Sequence, residues 1–283
     1  MAITAADVKK LRDATGAGPM ECKNVLTETN GDFDKAIKVL KEKGLAAAAK
    51  RADRATNNGR VSIKIQGTTA AIVELASETD FVARNPEFVE LGNKIAQIAI
   101  DKGYEAANDE LSGMVKDLAT KIRENMSLKR LVLIKAQAGE YLASYIHGDG
   151  VIGIVVTVNS DKPDIFKNEE AQSFAMSLAM HVAAFSPAAL SKDDIDASVI
   201  KEQEEIFRKQ IANDEKFVGK PEKVLEGALA GKVKKYLAEI CFLDQNYVKN
   251  DKITVTQALA EAGKQFGATL KITGYKGLRV GEE

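Results

Sequence analysis

The sequence predicts an α+β fold made of several small domains, and three observations carry that expectation. Helix start and stop signals punctuate the first 45 residues, apolar residues alternate with polar ones from Val61, and a helical period returns after Asp193. A chain of 283 residues, 45% of them hydrophobic, can fill two or three modest cores.

Thr4 and Asp7 form an S/T-x-x-acid capping pattern with Ile3 placed to staple onto Val8, so a first helix starts there. Gly16 and Gly18 stop it, Pro19 suits the first turn of a second helix, and Asn30-Gly31 ends that one. Asp32 then caps a third helix, with Phe33, Ile37 and Leu40 on one face as far as Gly44. Such a bundle is marginal alone, because short helices bury little surface. Lys50, Arg51, Arg54 and Asn57-Asn58-Gly59 form a charged, turn-rich boundary, which sets off an N-terminal three-helix domain over residues 1–54.

Beyond it the period changes. Val61, Ile63 and Ile65 alternate with polar residues, Gly67-Thr68-Thr69 turns the chain, and residues 70–76 supply an apolar partner strand. Asn85-Pro86 opens a helix with Phe88, Leu91, Ile95 and Ile98 on one face, and a second carries Leu111, Val115, Leu118 and Ile122. A similar order returns: residues 131–134 read as strand, Leu142, Ser144 and Ile146 alternate, Gly148-Asp149-Gly150 turns, and residues 151–158 read as a buried strand before a helix bearing Phe174, Leu178 and Val182. The equivalent placing of Ile65-Gln66-Gly67 and Ile146-His147-Gly148 predicts two related α+β core subdomains. The first spans 55–140, and the second joins 141–192 to a C-terminal module at 241–283.

Residues 193–240 read as an antiparallel helical hairpin broken at Gly219-Lys220-Pro221. Val199 and Ile206 sit one heptad apart with Gln203 and Gln210 between and beyond them, so its faces are too thinly apolar to form a core. It either projects into solvent or packs on another chain. The tail holds a helix at 255–261 and a last strand at 270–275.

Composition narrows the function. Lys and Arg number 40 against 41 Asp and Glu, so no direct nucleic-acid partner is expected. The longest stretch without Asp, Glu, Lys or Arg, 171–191, carries Gln172, four serines, His181 and Pro187, and no membrane partner is expected. The first residues carry no secretory signal, and two cysteines, Cys22 and Cys241, make no disulfide framework; both fit a cytoplasmic location. Gly148 to Gly153 match G-x-G-x-x-G in letters, but the expected strand after them leaves no helix N-terminus for a pyrophosphate. Residues 227–232 have phosphate-loop glycines one residue too close, with Val233 at the magnesium-binding position. His147 and His181 lack ligand neighbours at helical spacing, and no nucleophile motif is present. No cofactor, metal or catalytic residue is therefore expected, and the chain does not read as an enzyme.

Two stretches carry a family resemblance: Thr15-Gly16-Ala17-Gly18 leading to Met20, Cys22 and Lys23, and Thr79-Asp80-Phe81-Val82-Ala83. With Ser144-Tyr145, His147-Gly148, Ala179-Met180-His181, Gly219-Lys220-Pro221, Gln245, Val248-Lys249 and Thr254-Val255, the chain resembles elongation factor Ts over nearly its whole length. It departs from the pattern at Pro19, often Met; at Arg123, often Gly; and at Asn246-Tyr247, often Pro-Phe.

The resemblance implies a ubiquitin-associated-like N-terminal bundle and a protruding hairpin used by some members for dimerisation, so 193–240 is expected to serve either a homodimer or a second contact with the partner protein. It implies a guanine nucleotide exchange factor whose partner is elongation factor Tu. Thr79, Asp80, Phe81 and Val82 would work at the partner's magnesium and phosphate site, His147 would contact its nucleotide-binding domain, and Leu11, Arg12 and Met20 would grip a helix of it. Read from the residues alone, Asp80 is a turn or cap residue, Phe81 and Leu11 are core, and His147 is a surface or capping histidine. A non-catalytic scaffold whose bundle binds ubiquitin-like or other helical partners explains the bundle but not 79–83, and a hydrolase using Asp80 and His147 lacks a nucleophile or metal.

Overall fold

A computed structural model describes residues 3–282; residues 1, 2 and 283, at the outer ends of the expected first and last domains, lie outside the described residues. It is a mixed α and β structure with small sheets. The chain divides into two compact units, Met1–Lys135 with Ile146–Gly153 and Lys276–Glu283, and Ala136–Tyr145 with Ile154–Tyr275.

The first unit opens with α1 (Ala5–Thr15), α2 (Pro19–Glu28) and α3 (Phe33–Ala49). The capping box forms as its letters suggest: Thr4 Oγ1 accepts the Asp7 N–H at 3.2 Å, and Asp7 Oδ2 accepts the Thr4 N–H at 2.9 Å. Leu11, Cys22, Val25, Leu26, Ala36 and Leu40 are the shared core of the three helices. The expected stop at Gly44 fails, because α3 runs on to Ala49. Gly44 is instead a contact point, since a Cβ there would sit 2.1 Å from Thr120 Cγ2 on a later helix.

β1 (Asn58–Gln66) and β2 (Thr69–Ser77) form the expected hairpin, and α4 (Asp80–Ala83), α5 (Pro86–Lys102) and α6 (Asp109–Ile122) follow. The strand read at 131–134 as the start of a second repeat is longer, β3 (Met126–Lys135), and pairs antiparallel with β2. It closes the first sheet, in the order β1-β2-β3. The apolar run of β2 made it the central strand, buried along almost its whole length. Ala71, Val73 and Leu75 meet Phe88, Leu91 and Ile95 of α5 and Leu111 and Val115 of α6 on one face. The other face of the sheet lies under 146–153, where a Cβ on Gly153 would come within 2.4 Å of Val61 Cγ1.

β4 (Glu140–His147), β5 (Ile152–Ser160) and β8 (Leu270–Arg279) make a second sheet with β5 in the middle. The second unit adds α7 (Glu169–Phe185), α8 (Ala197–Ala212), α9 (Glu222–Ile240), a short pair β6 (Asn246–Tyr247) and β7 (Asn250–Thr254), and α10 (Val255–Phe266). α8 and α9 pack along each other through Phe207 with Tyr236 and through Arg208 with Glu226, and each buries a single residue, Ile211 and Leu229.

Candidate functional site

The ladder between β2 and β3 ends at Ser77 opposite Met126. Beyond it the two strands hold each other through side chains. Glu78 Oε1 accepts the Asn125 N–H at 2.6 Å, while Glu124 accepts the Thr79 N–H at 3.2 Å and the Thr79 hydroxyl at 2.9 Å. Thr79 Oγ1 also accepts the Val82 N–H at 3.3 Å, which caps the single turn α4. A turn of four residues has no stability of its own, because nucleating a helix fixes several residues for one hydrogen bond. Here the cap supports one end, Val82 and Ala83 are buried in the first unit's core, and Asn85-Pro86 starts α5 immediately afterwards.

Burying Val82 on that turn turns the two residues before it outward. Phe81 is 81% exposed. Asp80 is exposed beside Arg84, with 3.5 Å between the charged groups. The core alternative for Phe81 is therefore overturned, and Asp80 is a residue of the turn while Thr79 is its cap.

Met20 is 68% exposed in the first turn of α2, and Arg12 is exposed on α1. Leu11 is fully buried in the bundle core, so its side chain offers a partner no surface; it supports the helix that presents Arg12. His147 is exposed and precedes a 3-10 turn over Gly148–Gly150, whose following residue, Val151, donates its N–H to His147 O at 3.0 Å. Arg60 Nη1 donates to Asp149 O at 2.5 Å, where Asp149 holds the left-handed value φ 54°. After these glycines the chain continues as β5, so the G-x-G-x-x-G letters have no helix N-terminus behind them. Gly150 instead admits Arg60, whose Cγ would lie 2.5 Å from an added Cβ.

Sequence reasoning missed Glu124 and Arg60. Neither lies in a periodic pattern, and the one available signal was the neighbouring departure at Arg123. That residue caps α6 in the left-handed conformation, φ 70°, which explains why Gly suits the position. The other histidine, His181, is buried, and burial pushes its pKa down against the opposing effect of a hydrogen bond with Gln245. Among the described residues no group of three or more His, Cys, Asp or Glu side chains is placed to share a metal ion, and no helix is long and apolar enough to cross a membrane.

The family model described as Elongation factor TS matches residues 78–282. The chain belongs to the elongation factor Ts family. Relatives of that name include one from Treponema denticola, 50% identical over 96% of both chains, and one from Treponema pallidum, 44% identical over 96% of this chain and 97% of the relative. A third, from Borrelia garinii, is 43% identical over 99% of each chain. Membership in the elongation factor Ts family makes this a translation elongation factor of protein biosynthesis. The family match starts at Glu78 and takes in α4 and His147; Arg12 and Met20 lie outside it but within the 99% overlap with the Borrelia garinii relative.

Proposed function

We propose that this chain is a guanine nucleotide exchange factor for elongation factor Tu, acting by binding without covalent chemistry. The observation that carries this reading is Phe81, an aromatic ring held in solvent on a turn that is fixed on both sides. Exchange requires the factor to bind the vacant partner more tightly than the nucleotide-bound one, so that factor and nucleotide each weaken the other. Asp80 and Phe81 are the wedge that disturbs the magnesium and phosphate site, Thr79 and Val82 fix it, His147 makes a second contact, and Arg12 and Met20 on the bundle grip the nucleotide-binding domain. Covering the Phe81 ring contributes about 1.5–3 kcal/mol to the distorted complex.

The helical domain at 1–54, which we read as ubiquitin-associated-like, is the partner-binding domain; 55–140 and 141–192 with 241–283 are the two related core subdomains. The hairpin at 193–240 is the self-association surface, and neither nucleic acid nor membrane is a direct partner. The exposed Val199, Ile206, Val218 and Val224 support the hairpin's role.

The test is release of labelled GDP from elongation factor Tu into excess unlabelled nucleotide. Phe81→Ala is expected to slow release about ten- to a hundredfold at matched concentrations, with folding intact because the ring is exposed. An unchanged rate would remove Phe81 from the mechanism.

A further inference from the structure

We infer that Glu124 is the positioning residue of the Phe81 wedge: its carboxylate, in the bend between α6 and β3, fixes the angle at which the Thr79-capped turn presents the ring. The inference rests on the proposed exchange function and deepens it.

Three observations lead there. The backbone pairing with β3 that would orient residues 78 and 79 stops at Ser77, and side-chain bonds take over from it. Glu124 accepts both donors of Thr79, the N–H at 3.2 Å and the hydroxyl at 2.9 Å. Because the hydroxyl proton is committed to Glu124, the Thr79 oxygen keeps its lone pairs for the Val82 N–H at 3.3 Å, and cap and clasp reinforce each other. Glu124 is aimed at Thr79 by the left-handed Arg123 before it and by the Asn125 N–H after it, which Glu78 Oε1 accepts at 2.6 Å. Each segment thus gives a backbone N–H to the other's carboxylate, and hydrogen bonds to a charged acceptor are the strong kind.

Removing the carboxylate takes both side-chain bonds from Thr79; the segment is then held by Ser77 Oγ on Thr79 O, by Asn58 and Asn125 on Glu78, and by the burial of Val82 and Ala83, none of which acts on the Thr79 N–H or hydroxyl. The ring then samples several orientations, and only the fraction in the wedge orientation works. Maximal stimulation of GDP release by Glu124→Ala at saturating factor is expected to fall about tenfold. Exchange of the Val82 and Ala83 amide hydrogens should accelerate by a similar factor, while amides in the middle of β2 stay as in the wild type.

The decisive comparison is the double variant. If Glu124 acts through the ring, Glu124→Ala adds nothing once Phe81 is Ala. Equal losses in both backgrounds, or unchanged amide exchange with full activity, overturn the inference. A wild-type protein that does not accelerate release contradicts the exchange function itself. Wild-type acceleration that Phe81→Ala abolishes and Glu124→Ala spares contradicts only the role of Glu124. If Glu124→Ala does not fold, Glu124→Gln, which keeps one acceptor oxygen for the two Thr79 donors, is read by the same criteria with a smaller loss.

Discussion

His181 donates its Nε2 proton to Gln245 Oε1 across 2.9 Å, and the same ring accepts the Val248 N–H at Nδ1 across 3.1 Å. The second bond fixes the tautomer, since an Nδ1 that accepts carries no proton. The ring also stacks against Phe242, with centroids 5.2 Å apart. His181→Ala is expected to destabilise the protein by about 3 kcal/mol, because it orphans the buried Gln245 Oε1 and the half-buried Val248 N–H and leaves a void. Chemical denaturation at neutral pH measures the loss, and a change below 1 kcal/mol would contradict it.

Burial lowers the His181 pKa, so the folded ring stays neutral where the unfolded one, near about 6.5, takes up a proton. Its contribution is therefore present above the unfolded pKa and is lost as pH falls from about 6.5 toward the folded value. The thermal midpoint should drop over that window, and the drop should shrink in His181→Gln. An identical pH profile for the two proteins would exclude His181 as its source.

Glu74 and Arg130 are cross-strand neighbours on β2 and β3, joined at 2.5 Å with Glu74 only 1% exposed. Arg130 also reaches Arg279 O at 2.6 Å, and Glu74 Oε1 accepts the Gly281 N–H at 3.4 Å, so the pair ties the end of the chain to the first sheet. Breaking one side of a buried pair strands a charge, and Arg130→Met is expected to cost about 3–5 kcal/mol. Adding Glu74→Leu should recover most of that loss. A double variant no more stable than Arg130→Met would show that the tether, not the stranded charge, sets the cost.

Two glycines of the first unit should respond oppositely to alanine. A Cβ on Gly59 would lie 2.2 Å from Leu75 O, a backbone atom of the paired strand, so Gly59→Ala is expected to destabilise by about 1–3 kcal/mol. Gly113 lies inside α6 with nothing within 4 Å, and Gly113→Ala should stabilise by about 0.5–1 kcal/mol. Unfolding midpoints of the two variants decide, and matching signs would contradict the contrast.

On the hairpin, Val218 is 73% exposed and Ile206 is exposed on α8. If this surface joins two copies, Ile206→Asp with Val218→Asp should convert a dimer to a monomer in analytical ultracentrifugation, with GDP release measured in parallel. Unchanged sedimentation would remove the hairpin from self-association.

The helices at 5–28 were legible because Thr4, Pro19 and Gly16 act locally, each deciding the backbone within a turn of itself. Gly44 was misread as a stop because its reason is Thr120, far along the chain, and a helix glycine kept for close packing looks like a terminator in sequence. Residues 131–134, although kept inside the 55–140 subdomain, read as opening the repeated order, because periodicity identifies a strand but not its partner, which is β2. At the site, Thr79 to Val82 were found by resemblance, whereas the exposure of Phe81 follows from the burial of Val82 and Ala83. Glu124 was invisible because its partner lies 45 residues away.

The central claim is a preference for the vacant partner, and equilibrium affinity measures it most directly. Titrating this protein against nucleotide-free elongation factor Tu and against its GDP complex at saturating GDP should give much tighter binding to the vacant form, with the gap narrowing about ten- to a hundredfold for Phe81→Ala. Equal affinity for the two forms would contradict exchange by this chain.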